Sequence, residues 1–272
     1  MSRPSPGAAA GGALAGRHAL VTGAEAGLGF AIAQALAASG ASVAMHCLHT
    51  GQAARDAQAA LAGAHGATVL LLQADLRDAG QVEAMMRQAL DAFPRIDILV
   101  NNAVIRHFEP AHELPRAHWD ESLAVNLSAP FHLARLALPG MLAQQWGRII
   151  NLSSVYGSGA AANRIGYVTT KTALLGMTRA LAVETAAQGI TCNAVAPGTA
   201  PTPAILERIA EIARRTGVSP QQAEREYLAA RQPTGRFVAM ENVAALVAFL
   251  CSEAARDITG ATLPIDGGWT AA

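Results

Sequence analysis

Short runs rich in Val, Ile and Leu alternate along the chain with longer segments whose apolar residues recur at helical spacing. The short runs predict strands at residues 19–21, 42–45, 68–72, 96–100, 147–152, 191–195 and 262–265. The longer segments predict helices at residues 28–39, 52–64, 79–93, 119–143, 167–187 and 242–251. Because right-handed crossovers place the helices on both faces of a parallel sheet, this alternation predicts one doubly wound α/β domain with a seven-stranded parallel sheet.

Two parts of the chain depart from the alternation. Residues 197–236 contain no strand pattern but two further helical patterns, at 205–215 and 221–231. Long insertions of this kind often close over a binding site, and we interpret this one as a helical substrate lid; a surface loop without a role is the alternative. Residues 1–16 lack the apolar run of a signal peptide, which predicts a disordered leader before a single domain at residues 17–272.

Composition narrows the class of partner. Lys plus Arg and Asp plus Glu number 20 each, so no net charge draws the protein toward nucleic acid or an anionic membrane. No apolar run is long enough to span a bilayer. The three cysteines lie far apart in apolar stretches, which is typical of buried thiols in a reducing compartment. We therefore expect a cytoplasmic protein with a small-molecule partner.

A glycine-rich turn joins the first predicted strand to the first predicted helix. Its glycines, Gly23, Gly27 and Gly29, follow the spacing Gly-x-x-x-Gly-x-Gly. Glycines permit a tight turn and let the N–H groups of the helix start approach a pyrophosphate. Such a triplet is weak evidence in a chain rich in Ala and Gly, but its position between a strand and a helix makes it specific. The turn predicts a dinucleotide site.

Tyr167 and Lys171 are four residues apart at the start of a predicted helix, so their side chains share one face. A phenol has a pKa of about 10 in model peptides, and a neighbouring ammonium lowers that value toward neutrality. Ser154, at the end of a predicted strand, can hydrogen-bond the same substrate oxygen. Tyr-x-x-x-Lys also occurs by chance on helix surfaces. Combined with the glycine turn, it predicts proton transfer at a carbonyl or carbinol group.

These features resemble the short-chain dehydrogenase/reductase family. Other family marks agree, namely Asn101-Asn102-Ala103, Asn126 in Val-Asn-Leu, and Pro197-Gly198, and the resemblance runs from about Arg17 to the end of the chain. Val104 departs from the pattern, since the family more often has glycine there. The resemblance implies a Rossmann-fold oxidoreductase that uses NAD or NADP to interconvert a secondary alcohol and a ketone. It also implies a homo-oligomer, either a tetramer or a dimer.

The resemblance further implies roles for single residues. Tyr167 is expected to be the general acid/base, and Lys171 to bind the nicotinamide ribose and tune Tyr167. Ser154 is expected to position the carbonyl, and Asn126 to anchor a proton-relay water. Asp75 matches the position that contacts adenine. The full set of expected cofactor-binding residues is Gly23, Glu25, Gly27, Leu28, Gly29, Leu48, Asp75, Leu76, Asn102, Ala103, Tyr167, Lys171, Pro197, Gly198 and Thr202.

The end of the second strand leaves the choice between NAD and NADP open. An acid there bonds the ribose 2′-hydroxyl and repels a 2′-phosphate, but residues 46–49 read His-Cys-Leu-His. The arginine that often marks NADP is also missing, because Ala26 stands in its place. His46 or His49 could contact a phosphate, although a packed or solvated histidine is the commoner case. The subgroup described next favours NAD.

Three segments, at residues 146–151, 217–233 and 266–271, are similar to the bacterial 3-hydroxybutyrate dehydrogenases, which recognise a short 3-hydroxy acid. Trp269 is retained, and Arg164 replaces a lysine of that subgroup. Arg106 replaces a glutamine and Arg208 lies near the position of another, while Tyr156 replaces a histidine and Thr199 a tryptophan. Loss of the tryptophan enlarges the pocket and the arginines add positive charge. We therefore predict a hydroxy acid or other anionic substrate larger than 3-hydroxybutyrate.

Other functions remain open at this point. The same catalytic group serves NADPH-dependent 3-oxoacyl-carrier reductases and sugar or polyol dehydrogenases. A non-catalytic nucleotide-binding protein is a different class, against which the presence of both Tyr167 and Lys171 argues. Arg106 and Arg208 could also be solvated surface residues. The histidines do not pair with acids or cysteines at metal-site spacing, so we predict no metal.

Overall fold

Seven parallel strands form one sheet in the computed structural model, which describes residues 12–272 except for the side chains of residues 203 and 204. The strands are β1 (His18–Thr22), β2 (Ser42–Cys47), β3 (Val69–Gln73), β4 (Ile98–Asn101), β5 (Gly147–Leu152), β6 (Ile190–Pro197) and β7 (Thr262–Ile265). Their order is β3-β2-β1-β4-β5-β6-β7, so the direction of strand addition reverses between β1 and β4. This order confirms the predicted doubly wound Rossmann fold.

Helices cover both faces of the sheet. They are α1 (Gly27–Ala38), α2 (Gln52–His65), α3 (Ala79–Ala92), α4 (Arg116–Leu123), α5 (Ala129–Gln144), α6 (Ile165–Thr185), α7 (Pro203–Thr216), α8 (Pro220–Ala229) and α9 (Met240–Cys251). Successive strand residues point to opposite faces: Leu20 joins the core under α3 and α5, and Val21 the core under α1 and α9. Between residues 12 and 272, none of these helices combines the length and apolar content that crossing a membrane requires.

The helix predicted at residues 119–143 is interrupted. Between α4 and α5 the chain forms a π-helical turn, Ala124–Ser128. Pro130 supplies the physical reason, because it has no N–H to donate to the carbonyl of Asn126 four residues earlier. The Asn126 carbonyl therefore has no α-helical donor, and the widened turn falls at a predicted site residue.

The predicted disordered leader spans residues 1–16. Residues 1–11 lie outside the described part of the chain. Residues 12–16 form a turn, in which Leu14 is buried in the core beside α1 and its N–H donates to the Ser39 carbonyl at 2.8 Å. The prediction is wrong for this turn, because one apolar side chain in a segment of small residues is enough to anchor it.

After Pro197, the last residue of β6, the insertion that runs to residue 236 holds two helices and no strand, as the sequence predicts. Its helices α7 and α8 pack around a small core of their own, composed of Ile209, Ala213, Ala223, Tyr227 and Leu228. This core is separate from the two that sandwich the sheet. The role of this helix pair as a lid stays a prediction.

Candidate active site

The site residues gather at the carboxyl edge of the sheet. The ends of β1 and β4 pair side by side, as do those of β4 with β5 and of β5 with β6. Chain segments that leave these four ends carry the glycine turn, the Asn102 segment, Ser154 and Gly198. The reversal between β1 and β4 opens a crevice at this edge, which is where open α/β sheets bind ligands.

The glycine turn has the geometry of a pyrophosphate cradle. Gly23 and Gly27 have φ values of +61° and +57°, which side-chain-bearing residues rarely adopt. A Cβ on Gly29 would lie 2.0 Å from the Gly23 carbonyl oxygen, whereas one on Gly27 would meet nothing within 4 Å. Asn102 fixes the turn by donating to the carbonyls of Thr22 and Gly23 at 2.9 and 3.0 Å. The residues present therefore fit a dinucleotide at the start of α1.

The other expected cofactor-binding residues lie on the same edge. Leu48 is exposed just after β2, whereas Leu76 is buried after β3. The Asp75 carboxylate is bound by Arg77 at 2.6 Å, and this contact holds the pKa of Asp75 below its ordinary value.

Gly198 lies against the segment that follows β7. A Cβ on Gly198 would come within 2.9 Å of the Asp266 backbone, so a side chain does not fit there without a shift. Leu28 lies in the first turn of α1, Ala103 follows Asn102, and Pro197 and Thr202 flank the start of the insertion. Their contacts with a cofactor stay predictions.

His46 is a packed histidine. Its Nδ1 accepts from the Gly23 N–H at 3.1 Å, and its Nε2 lies 3.0 Å from the Ala74 carbonyl oxygen. A carbonyl only accepts, so Nε2 carries the proton and the ring is neutral. Burial lowers the pKa of His46, which keeps the ring neutral. His46 therefore ties the glycine turn to β2 and β3 and is not available for a phosphate.

Tyr167 and Lys171 lie buried in the first turns of α6, with the Lys171 Nζ 5.8 Å from the centre of the Tyr167 ring. The ammonium donates to the Leu152 carbonyl at the end of β5, at 2.5 Å. Burial lowers the pKa of Lys171 to about 8. Burial alone raises the pKa of Tyr167, but the charges of Lys171 and Arg106 and a hydrogen bond from Ser154 hold it below its ordinary value.

Asn126 is buried and its side chain is fully used. Its Oδ1 accepts from the Ile105 N–H at 2.9 Å, and its Nδ2 donates to the Ile105 carbonyl at 3.0 Å and to Thr170 Oγ1 at 3.3 Å. The amide thus pins the loop that carries Arg106. A proton relay at Asn126 would have to use its main-chain carbonyl, and that role stays a prediction.

Four residues of the predicted substrate pocket form a continuous group with Tyr167. The Arg106 guanidinium lies 5.3 Å from the centre of the Tyr167 ring, and the Tyr156 ring lies 6.3 Å from it. Tyr156 also contacts Trp269 edge to face, with ring centres 5.6 Å apart. Arg164 lies 5.3 Å from the centre of the Tyr156 ring. Two cations and three aromatic rings therefore form one series of contacts that includes Tyr167.

Two predicted pocket residues are placed differently. Arg208 is exposed on α7, and within the described residues no hydrogen bond, ion pair or ring contact joins it to the pocket. Thr199 is buried, with its N–H donating to Gln232 Oε1 and its carbonyl accepting from Val238 at 2.9 Å. Gln232, fully buried, is a residue that sequence reasoning missed, and it ties the end of the insertion to the segment after β6. Phe108, 4.6 Å from Arg164, was missed as well.

The sequence argument for the absence of a metal was that no histidine pairs with an acid or cysteine at metal-site spacing, and this argument is wrong. His107, Glu109 and His118 bring donor atoms within 4.8 Å of one another. The two imidazoles are stacked, however, with centres 3.9 Å apart and planes 8° from parallel. Ring nitrogens bind metals in the ring plane, and no single ion can lie in both planes as they stand. Each ring instead contacts its own carboxylate, Glu121 at 3.2 Å or Glu109 at 3.1 Å. Absence of a metal stays a prediction.

Known proteins resemble this chain along nearly its whole length. A family model described as enoyl-(acyl carrier protein) reductase matches residues 23–270. The D-beta-hydroxybutyrate dehydrogenase of Cupriavidus necator is 43% identical over 258 residues, which cover 95% of this chain and 99% of that protein. The cis-4-hydroxycyclohexanecarboxylate dehydrogenase of Sinomonas cyclohexanicum is 39% identical over 262 residues, covering 96% and 99%. The solved structure of L-sorbose reductase from Gluconobacter frateurii, complexed with NADPH and L-sorbose, matches with a TM-score of 0.89 at 29% identity, covering 94% of this chain and 97% of that one.

These matches agree with the site geometry. The residues matched by the family model include the glycine turn, Ser154, Tyr167 and Lys171. The same edge of the sheet that holds these residues is where the fold binds dinucleotides. The chain belongs to the short-chain dehydrogenase/reductase family, and it is an NAD(P)-dependent oxidoreductase that acts on CH–OH groups.

Proposed function

We propose that this enzyme interconverts a hydroxy acid larger than 3-hydroxybutyrate and the corresponding oxo acid. The observation that carries this proposal is the Arg106 guanidinium 5.3 Å from the Tyr167 ring, where it can bind a carboxylate while Tyr167 acts on the hydroxyl. Arg164 adds a second positive charge beside Tyr156, 5.3 Å from the centre of its ring. Relatives named for 3-hydroxybutyrate and for a hydroxycyclohexane carboxylate support an acidic substrate, the second with a ring.

The proposed mechanism assigns one task to each residue. Bound NAD(P) supplies the hydride acceptor or donor. In alcohol oxidation, the Tyr167 phenolate takes the hydroxyl proton as the carbinol carbon gives up its hydride, which leaves a ketone. Ser154 hydrogen-bonds the same oxygen, and Lys171 stabilises the phenolate by its charge. In reduction the neutral phenol returns the proton.

We also propose that the Asn126 main-chain carbonyl anchors the proton relay. Pro130 and the π-helical turn support this, because they leave that carbonyl without an α-helical donor. The Asn126 side chain is already occupied by Ile105 and Thr170. The relay would carry the proton from Tyr167 past Lys171 toward solvent.

Homo-oligomer formation and cytoplasmic residence are further parts of the proposal. Exposed apolar side chains on α5 and α6 support self-association, namely Phe131, Leu142, Ile165 and Val183. Light scattering on a sizing column would give a mass of two or four chains, and a monomer mass would contradict it. The three cysteines, all buried as free thiols, support a reducing compartment.

A substrate panel tests the proposal. Purified protein is supplied with NAD or NADP and with linear and cyclic hydroxy acids, neutral polyols and a 3-hydroxyacyl thioester, and formation of reduced cofactor is followed by absorbance. Highest kcat/KM on a hydroxy acid is the expected result. Highest kcat/KM on a polyol or on the thioester would replace it with one of the other reductase functions.

Replacement of Arg106 by alanine is expected to act in two ways. KM for acidic substrates rises by about 10- to 100-fold, since a charged hydrogen bond is lost, while KM for a neutral alcohol changes little. The charge that helps lower the pKa of Tyr167 is also lost. Oxidation needs the phenolate, so its rate falls as the pH drops through this pKa, and the profile moves to higher pH in the variant. Arg208→Ala is the matched control, and equal effects in both variants would contradict the assignment.

A further inference from the structure

The end of β2 offers no acid to recognise the adenosine ribose. The residues there are His46, Cys47, Leu48 and His49. His46 is neutral and occupied by Gly23 and Ala74. An acid that binds the ribose hydroxyls and repels a 2′-phosphate would therefore have to come from another element that reaches this position.

The glycine turn brings a carboxylate to the end of β2. Besides the contact of Gly23 with His46, the Ala24 N–H donates to the His46 carbonyl at 2.9 Å. Glu25 is the next residue, so its side chain starts from a backbone that is bound to β2. Burial raises the pKa of the Cys47 thiol and the Glu25 carboxylate raises it further, as expected for a negative charge close to this strand end.

Glu25 carries an unsatisfied acceptor. Its Oε2 is buried and has no hydrogen-bond partner among the described residues. Leaving such an atom without a donor destabilises the protein, so a ligand that supplies hydroxyl donors binds more tightly there. The neighbouring turn residue is Ala26, which places no cation beside the carboxylate. A 2′-phosphate beside Glu25 would therefore be repelled, because residue 26 offers no positive charge to offset the two negative ones.

We propose that Glu25 is the residue that selects NAD(H) over NADP(H). Its carboxylate accepts hydrogen bonds from the ribose hydroxyls of the adenosine half and repels a 2′-phosphate. The acid that this discrimination requires is supplied by the glycine turn and not by the end of the second strand. The inference rests on the cofactor use of the proposed function but is independent of the substrate.

Binding of the two cofactors without substrate tests the proposal. Dissociation constants for NADH and NADPH are measured by calorimetry on wild-type protein, Glu25→Gln, Glu25→Ala and the control Glu113→Gln, whose side chain is exposed on the surface. We expect wild type to prefer NADH, and Glu25→Gln and Glu25→Ala to reduce the preference by about 10- to 100-fold, with the control unchanged. The melting temperature of each variant confirms that the fold is retained.

Two results would overturn the assignment: a wild-type preference for NADPH, which would point to His49 or Arg55 near β2 as a phosphate contact, or an unchanged preference in both Glu25 variants. Failure of the proposed function gives a different pattern. If the wild-type enzyme turns over no hydroxy acid but prefers NADH in a way that depends on Glu25, only the substrate proposal fails. Absence of binding for both cofactors would remove both proposals.

Discussion

Replacement of Tyr167 by phenylalanine is expected to lower kcat by about 10²- to 10⁴-fold, the usual contribution of a positioned general acid/base. The ring is kept, so its packing with Tyr156 and Arg106 is kept as well. The substitution removes only the phenolic hydroxyl, whose pKa is lowered by Lys171, Arg106 and a hydrogen bond from Ser154. The affinity for NADH should stay within a few-fold of wild type, because the glycine turn is untouched.

Steady-state kinetics in both directions, together with calorimetric cofactor binding, measures this effect. Tyr156→Phe is the matched control: it removes a hydroxyl from the neighbouring ring, and we expect a much smaller change in kcat. A Tyr167→Phe enzyme that retains wild-type kcat would show that another group moves the proton. Loss of NADH binding in that variant would instead indicate a structural defect.

Asp97→Asn is expected to destabilise the fold by about 1–3 kcal/mol, the usual cost of losing hydrogen bonds to a buried charged group. The Asp97 side chain is fully buried just before β4. It accepts from Arg95 Nε at 2.8 Å, from the His18 N–H at 2.9 Å and from Arg17 at 3.3 Å. The substitution removes the negative charge and leaves both arginines without a counterion at the amino edge of the sheet.

Urea unfolding followed by circular dichroism measures the change in the free energy of unfolding. Asp257→Asn, whose side chain is 91% exposed, is the control, and it should change stability by less than about 0.5 kcal/mol. Asp97 is at the edge opposite the active site, so kcat/KM of the folded variant should equal that of wild type. A loss of stability no larger than the control's would mean that solvent screens these charges.

The sheet could be predicted from the sequence because each strand is buried on both faces. Leu99 and Val100, or Ile149 and Ile150, fill opposite cores, and such continuous apolar runs are distinctive. The interruption near Asn126 was harder to predict, since Pro130 lies in a run that keeps its helical spacing. The anchoring of Leu14 was missed for a related reason, namely that a single apolar residue has no periodicity.

The candidate site was predictable to the extent that its residues follow strand ends or share one helix turn. Gly23, Ser154, Tyr167 and Lys171 belong to this group. Arg106 contacts Tyr167, and Tyr156 contacts Trp269, across distant parts of the chain. The separation of two residues in the sequence does not indicate such contacts, so these could not be predicted. Gln232 could not be predicted, because nothing around a glutamine in a loop signals that its side chain is buried.

Transfer of an isotopic label tests the central claim most directly. The enzyme is given an oxo acid and NADH that carries deuterium on the transferable C4 position, and the product is analysed by mass spectrometry. A hydroxy acid with one deuterium on the carbinol carbon is the predicted result, and Tyr167→Phe should form it about 10²- to 10⁴-fold more slowly. Cofactor that binds but transfers no deuterium to any acid or neutral ketone would contradict the account, and would identify the chain as a nucleotide-binding protein without this activity.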